Sequence, residues 1–274
     1  MKRSRKESVE LPQDFAERHI EAFVKGCNHI LGVDPSLYDA LLSKDFHLFL
    51  KKEQPPMDLN HHFVKLASSI LAQQISGAAA NSVKNKLMGY YGGHFPTYQE
   101  VVETIEEKNV QELRGCGLSA RKVQYLESLA NYFNDNEKAI EALFKQDNDE
   151  IASQLVANIK GIGPWSAKMF LVTSLERMDV FAADDLGIAR GCSKYLDSHP
   201  ETLKELMSKR VQGKTKRSKI VHKKKNWKIY DEDIVEKCGE LFAPYRSIFM
   251  FILWRLSSTN IDALAKREKD FVAK

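Results

Sequence analysis

A short stretch in the second half of the chain combines residue types that bind phosphate. The sequence Lys-Gly-Ile-Gly-Pro-Trp-Ser-Ala runs from Lys160 to Ala167, between two segments with helical spacing of apolar residues. Pro164 suits the first turn of a helix, where a missing N–H does no harm, and Gly161 and Gly163 let another backbone approach closely. Two interpretations stay open on these residues alone: a cap between two packed helices, or a turn whose amides and helix dipole hold an anion.

Helical spacing continues through most of the sequence. Apolar residues recur three and four positions apart in fourteen segments, from residues 19–31 to residues 245–256, and one of these covers residues 35–50. Strand-like alternation is almost absent. The sequence therefore predicts an all-α fold.

Composition and cysteine spacing exclude several classes of protein. The 274 residues, 43% of them apolar, contain neither an 18-residue apolar run nor an apolar segment behind the charged N-terminus, which predicts a soluble intracellular protein without membrane contact. The four cysteines stand far apart without a CxxC pair, so we predict reduced, buried thiols and no metal site. They are Cys27, Cys116, Cys192 and Cys238.

The positive charge is concentrated in one segment. Ten of the 41 Lys and Arg residues lie between Ser208 and Tyr230, where no acid occurs, whereas all 37 acids lie elsewhere. A block of this kind is typical of a solvated loop, a nuclear address or a polyanion contact, and the three roles can coexist. Residues 2–6 add a smaller basic cluster.

The stretch at residues 160–167, taken together with segments before and after it, resembles a known protein family. Residues 160–167 and the following Asp-Val-Phe-Ala-Ala-Asp-Asp-Leu-Gly-Ile of residues 179–188 are similar to the hairpin and aspartate loop of the helix-hairpin-helix DNA glycosylase superfamily. Within it, the yeast 3-methyladenine DNA glycosylases are the nearest in pattern. The similarity extends over roughly residues 55–272 and includes residues 71–77, 116–122, 189–191 and 244–255.

The resemblance implies an architecture for the chain. We expect a two-lobed helical bundle with a helix-hairpin-helix motif and an active-site cleft between the lobes. Residues 1–12 are predicted to form a basic disordered tail and residues 13–274 the glycosylase fold. Inside that fold we expect the hairpin at 155–175, the aspartate loop at 179–188 and the basic insert at 208–228.

The resemblance also assigns a catalytic acid. Such glycosylases flip a damaged nucleotide out of the duplex and break its N-glycosidic bond, and a carboxylate stabilises the positive charge that develops on the sugar. The family pattern aligns this acid with Asp185, whereas Asp184 is expected to cap the helix that begins at Leu186. Without the hairpin upstream, both acids would be read as ordinary residues at the start of a helix.

An aromatic base pocket is the next expectation. Bifunctional members of the superfamily carry a lysine nucleophile at the position of Trp165, and an indole cannot form the imine, so the resemblance implies a monofunctional enzyme. Trp165 would stack on an electron-poor alkylated base. Trp254 is a second candidate for the pocket wall, and Phe181 and Tyr245 are lesser ones. Packing in the hydrophobic core is the alternative role for the two tryptophans.

DNA contacts are implied at two turns. Gln74, Ile75 and Ser76 resemble an intercalating turn, with Ile75 or Ser76 expected near its tip, although a plain interhelix turn is the alternative. A phosphate is expected at the amides of Gly161, Gly163 and Trp165. Lys168 and Arg190 are candidates for additional phosphate contacts, and both are also ordinary residues for a solvated helix. No cofactor is expected beyond a possible monovalent cation at the hairpin carbonyls.

These expectations combine into one function and two alternatives. The resemblance implies a monomeric, nuclear, monofunctional glycosylase that excises alkylated purines such as 3-methyladenine and 7-methylguanine from double-stranded DNA in base excision repair. A bifunctional glycosylase with lyase activity is one alternative, which Trp165 disfavours. A non-catalytic module that binds damaged DNA is the other, which Asp185 disfavours.

Overall fold

The structure, a computed structural model, describes residues 10–51, 57–107, 109–210 and 229–257. Those residues form helices and turns without a β-strand, apart from one isolated bridge between His19 and Leu50. The predicted all-α fold is confirmed. The helices are α1 Gln13–Arg18, α2 Glu21–Val33, α3 Tyr38–Leu42, α4 Leu59–Ala72, α5 Gly77–Tyr90, α6 Tyr98–Glu106, α7 Val110–Gly115, α8 Ala120–Asp135, α9 Glu137–Leu143, α10 Asn148–Asn158, α11 Pro164–Thr173, α12 Leu186–Asp197, α13 Pro200–Ser208, α14 Glu232–Glu240 and α15 Arg246–Leu256.

The chain divides into two compact units, in agreement with the predicted two lobes. Of the described residues, the first unit contains 10–51, 178–210 and 229–257, and the second contains 57–107 and 109–177. The first is therefore built from stretches of sequence before and after the second. The second unit carries the hairpin formed by α10 and α11, while the aspartate loop before α12 belongs to the first.

Helix α15 is the centre of the first unit. Every residue from Ser247 to Trp254 is buried, and α15 lies against α12 at a close approach of backbones. A Cβ added to Gly191 of α12 would lie 1.9 Å from the carbonyl oxygen of Leu253, so only glycine permits this packing. The position of α12 is thus fixed against α15.

The predicted helix over residues 35–50 is wrong in extent. The structure has only α3 there, flanked by 3₁₀ turns at Pro35–Leu37 and His47–Phe49. The reason is Arg255, whose guanidinium lies over the Phe46 ring and takes the carbonyl groups that a continued helix would bond to its own amides. The carbonyl acceptors are those of Ala40, Leu41, Lys44 and Asp45.

The second unit is organised around α8. Helices α4 and α6 pack on it, and five of the unit's helices begin with a side chain that accepts a hydrogen bond from the first turn. Such caps satisfy amides that have no partner within the helix. The capping residues are Asp58 for α4, Ser76 for α5, Thr97 for α6, Ser119 for α8 and Asp147 for α10.

His62 connects α4 to the end of α11 inside the second unit. Its Nδ1 lies 2.9 Å from the hydroxyl of buried Ser174, and the rings of Phe144 and Phe170 meet it edge-on. Only 7% of the residue is exposed. Burial, followed by the neighbouring His61, lowers the pKa of His62 from 6.5 to about 4, because the charged imidazolium is poorly solvated there.

We predict that His62 makes the protein less stable under acid conditions. Its pKa is lower in the folded than in the unfolded state, so its contribution is intact above pH 6.5 and is lost as the pH falls toward 4. Between pH 7 and pH 5 the wild type should lose about 2 kcal/mol of unfolding free energy more than His62→Gln does. Urea denaturation of both proteins at the two pH values measures the difference; equal losses would contradict the assignment.

Several sequence predictions lie wholly or partly outside the described residues. Residues 1–9 of the tail and 211–228 of the basic insert are among them, so the nuclear address and polyanion contact stay predictions. At the described start of the insert, Arg210 pairs with Asp231 and Asp233. In the described ranges, no helix combines the length and apolar character needed to cross a membrane.

Candidate functional site

The Gly-Ile-Gly turn joins α10 to α11 as a tight hairpin. After α10, Ile159 is extended, Gly161 has a left-handed φ of +86°, and Gly163 precedes Pro164 at the start of α11. Ile162, 4% exposed, points its side chain into the unit. The turn therefore anchors itself by one apolar side chain and keeps its glycines at the surface.

Two side chains of α8 support this turn. A Cβ on Gly161 would lie 2.3 Å from the Tyr125 ring, so the glycine is required both by its φ and by this close approach. One helical turn further along α8, the Ser128 hydroxyl accepts a hydrogen bond of 3.0 Å from the Lys160 N–H. A single sequence offers no signal that pairs residues 125 and 128 with the turn.

The start of α11 has the features of an anion site. Gly163 supplies no side-chain cap, and the first turn of α11 contains no acid. First-turn amides without a partner inside the helix carry partial positive charge and attract anions. Trp165 and Lys168 are both partly exposed on this helix. Their predicted contacts with a base and a phosphate stay predictions.

The predicted intercalating turn lies between α4 and α5. Gln74 is exposed and has a left-handed φ of +58°, while Ile75 is partly buried. Ser76 is exposed too, but its hydroxyl accepts from the amide of Ala79 and caps α5. Gln74 thus projects from the turn, whereas the exposed Ser76 has its hydroxyl bonded to the start of α5.

The aspartate loop is fastened at its beginning to the first turn of α15. Arg246 donates to both carboxylate oxygens of Asp179, at 2.6 and 3.1 Å. This bond raises the pKa of the guanidinium. Ser247, fully buried, donates its amide to the carbonyl of Met178 and accepts the amide of Val180 on its hydroxyl. The sequence analysis missed both residues, because nothing in one chain links residue 246 to residue 179.

The loop ends on Asp185, whose carboxylate receives two donors. Its Oδ1 accepts the amide of Ile188 at 2.8 Å and the indole N–H of Trp254 at 2.9 Å. Asp185 is therefore the cap of α12, and the expectation that Asp184 would cap this helix is wrong. The amide of Asp185 bonds to the carbonyl of Ala182, which turns the chain so that the second acid, not the first, meets the helix start. Asp184 is exposed.

The other predicted pocket residues lie deep in the first unit. Trp254 is 2% exposed, and its indole N–H is directed at Asp185. Phe181 is 4% exposed and packs against Gly239, where an added Cβ would come within 2.7 Å of its ring. Little of either ring is left for a base. Arg190, predicted to contact phosphate, is partly exposed on α12.

The hairpin carbonyl groups are the expected ligands of a monovalent cation, and some of them already accept hydrogen bonds. The carbonyl oxygens of Ile159 and Gly163 accept the amides of Ile162 and Ala167. A carbonyl oxygen has two lone pairs, so these atoms also fit a cation as ligands. The cation stays a prediction.

A family model decides the classification of the chain. The model of the HhH-GPD superfamily of base excision DNA repair proteins matches residues 67–217, a stretch that includes the hairpin, the aspartate loop and the whole of α12. The chain belongs to this superfamily. The predicted family is thereby confirmed.

Individual relatives agree with this membership. The DNA-3-methyladenine glycosylase of Saccharomyces cerevisiae is 56% identical over 272 residues, which cover 98% of this chain and 91% of that protein. Among solved structures, the 3-methyladenine DNA glycosylase of Schizosaccharomyces pombe, in complex with abasic DNA, is similar with a TM-score of 0.55 and 27% identity, covering 84% and 95% of the two chains. The DNA-3-methyladenine glycosidase of Bacillus halodurans shares the fold, with a TM-score of 0.62, 24% identity and coverage of 89% and 94%.

The two hairpin glycines should respond differently to alanine. Gly161→Ala combines a left-handed φ with a clash against Tyr125 and should reduce the free energy of unfolding by about 2–4 kcal/mol. Gly163→Ala is the matched control, since its φ of −105° suits alanine and nothing lies within 4 Å of the added Cβ; because alanine is a poorer N-cap than glycine, the change should cost up to about 1 kcal/mol. Urea denaturation compares them, and equal costs would contradict the described turn.

Proposed function

We propose that this protein is a monofunctional DNA glycosylase that releases alkylated purines, including 3-methyladenine and 7-methylguanine, from duplex DNA by hydrolysis. The observation that carries the proposal is the Asp185 carboxylate, held at the start of α12 by the Ile188 amide and the Trp254 indole. The family and the yeast relative support the same reaction class. The S. pombe structure with abasic DNA supports DNA as the partner.

The reaction requires the protein to stabilise positive charge on the sugar. When the bond between C1′ and the purine nitrogen breaks, its electron pair leaves with the base, and positive charge develops on the sugar. A carboxylate beside C1′ stabilises that charge and can accept a proton from the water that adds to C1′. Because alkylation makes the base a good leaving group, the mechanism needs no strong general acid. One fixed carboxylate is enough.

In this proposal the hairpin binds the DNA backbone. The first-turn amides of α11, around Gly163 and Trp165, would bind a backbone phosphate without reading sequence. Trp165, at the second position of α11, replaces the lysine that a lyase requires and leaves hydrolysis as the outcome. Its indole would stack on the cationic base, and such contacts contribute about 0.5–2 kcal/mol.

Substitution of Asp185 tests the proposed role. Asp185→Asn keeps an oxygen that can accept both hydrogen bonds but removes the charge, so base release should fall about 10²–10³-fold while DNA affinity changes little. Asp184→Asn is the matched control and should stay within about threefold of the wild type, because exposed charges interact weakly with their surroundings. The measurement is single-turnover release of bases from methylated duplex DNA, identified by mass.

The same assay separates the two alternatives. The product strand should stay intact until alkali is added; a nick without alkali would indicate a lyase. If the wild type bound methylated DNA but released no base, the protein would be a binding module. Full activity in Asp185→Asn would contradict the mechanism.

Trp254→Phe tests whether the indole N–H or the ring matters. The variant keeps most of the ring but removes the donor to Asp185, and a hydrogen bond to a charged group contributes about 1.5–3 kcal/mol. We expect base release to slow by about tenfold or more, with DNA affinity unchanged. A rate close to that of the wild type would show that the indole N–H does not contribute to the action of Asp185.

A further inference from the structure

Three side chains converge on two residues of the hairpin turn. Ser128 accepts the amide of Lys160, and the Tyr125 ring lies directly beneath Gly161. The third contact comes from outside α8: Nε2 of Gln73 donates to the carbonyl of Gly161 at 2.8 Å, in a partly buried position. The turn is thus bonded to a residue that stands 88 positions earlier in the chain.

Gln73 belongs to the predicted intercalating turn. It is the C-terminal cap of α4, and its own amide bonds to the carbonyl of Ile70. The next residue, Gln74, is exposed with a φ of +58°, so the chain leaves Gln73 directly into the projecting part of the turn. The side chain of Gln73 therefore links the turn of residues 73–76 to the hairpin.

The end of α4 is also bonded to α8, independently of Gln73. Nζ of Lys122 on α8 donates to the carbonyl of Leu71 at 2.6 Å. The end of α4 and the hairpin each contact α8, and the Gln73 bond is a direct link between the two turns. A bond that is partly shielded from water holds the distance between them better than an exposed one.

We propose that Gln73 is a positioning residue that sets the spacing between the turn that opens the duplex and the hairpin that holds the phosphate. The inference rests on the proposed function. A wedge enters the base stack productively only at a fixed distance from the bound backbone, and opening the stack requires a few kcal/mol. Gln73 acts through Gly161 and through residues 74–76; it does not touch the reacting atoms.

Two substitutions of similar size separate this role from simple packing. Gln73→Met removes the donor, and Gln73→Glu places a carboxylate against the Gly161 carbonyl, so that two acceptors face each other. We expect single-turnover release from fully paired methylated duplex to fall about tenfold for Gln73→Met and about 100-fold for Gln73→Glu. If only volume mattered, the two variants would behave alike.

The comparison substrate is the same methylated strand with the lesion inside an unpaired bubble. There the stack is already open, so both variants should stay within about threefold of the wild type. Their Kd for undamaged duplex should also stay within about threefold, because the phosphate grip is retained. Gln124→Glu adds the same charge at an exposed position of α8 and is the matched control; its release from paired duplex should match that of the wild type within about threefold.

The outcomes distinguish this inference from the proposed function. If the wild type releases no methylated base from either substrate, the proposed function fails. If the wild type is active and both Gln73 variants match it on paired duplex, the positioning role is overturned alone. Equal losses on the paired and bubble substrates, or a loss of affinity for undamaged DNA of the same size, would also overturn it.

Discussion

The structure depends on one oxygen atom, Oδ1 of Asp185, on which donors from α12 and α15 converge. This arrangement requires the two helices to keep a constant separation, and the close contact of Gly191 with the Leu253 carbonyl provides it. It also requires α15 to stay in place along its axis. Arg246 and Ser247 fasten its first turn to the start of the aspartate loop, and Arg255 fastens its last turn to the end of α3.

Two helix starts are used in opposite ways. The positive end of α12 is filled by the protein's own carboxylate, that of Asp185, which accepts the Ile188 amide there. The positive end of α11 follows Gly163, which offers no side chain, so its amides suit an anion from outside the protein. A reaction in which a sugar becomes cationic while its strand stays polyanionic needs both. The same backbone property thus holds a carboxylate in one unit and meets no side-chain cap in the other.

The sequence predicts well those features that are local. The spacing of apolar residues predicts most helices, and the Gly-x-Gly-Pro pattern predicts the hairpin, because caps and turns depend on near neighbours. Prediction from the sequence fails where a residue far away in the chain determines the local structure. Residues 35–50 read as one helix, but the Arg255 guanidinium takes the carbonyls at the end of α3. The sequence predicts Asp184 as the cap of α12. In the structure, the turn closed by the Ala182 carbonyl brings Asp185 to the helix start instead. The bond between the Trp254 N–H and the Asp185 carboxylate likewise has no signal in the sequence.

The electrostatic claim about Asp185 is tested most directly by binding, without any turnover. Two duplexes that mimic the reaction centre are compared, one with a cationic pyrrolidine in place of the sugar and one with a neutral tetrahydrofuran. We predict that the wild type binds the cationic analogue at least about tenfold more tightly, equivalent to about 1.4 kcal/mol, and that Asp185→Asn loses this preference. Equal affinities in the wild type, or a preference that survives the substitution, would contradict the account.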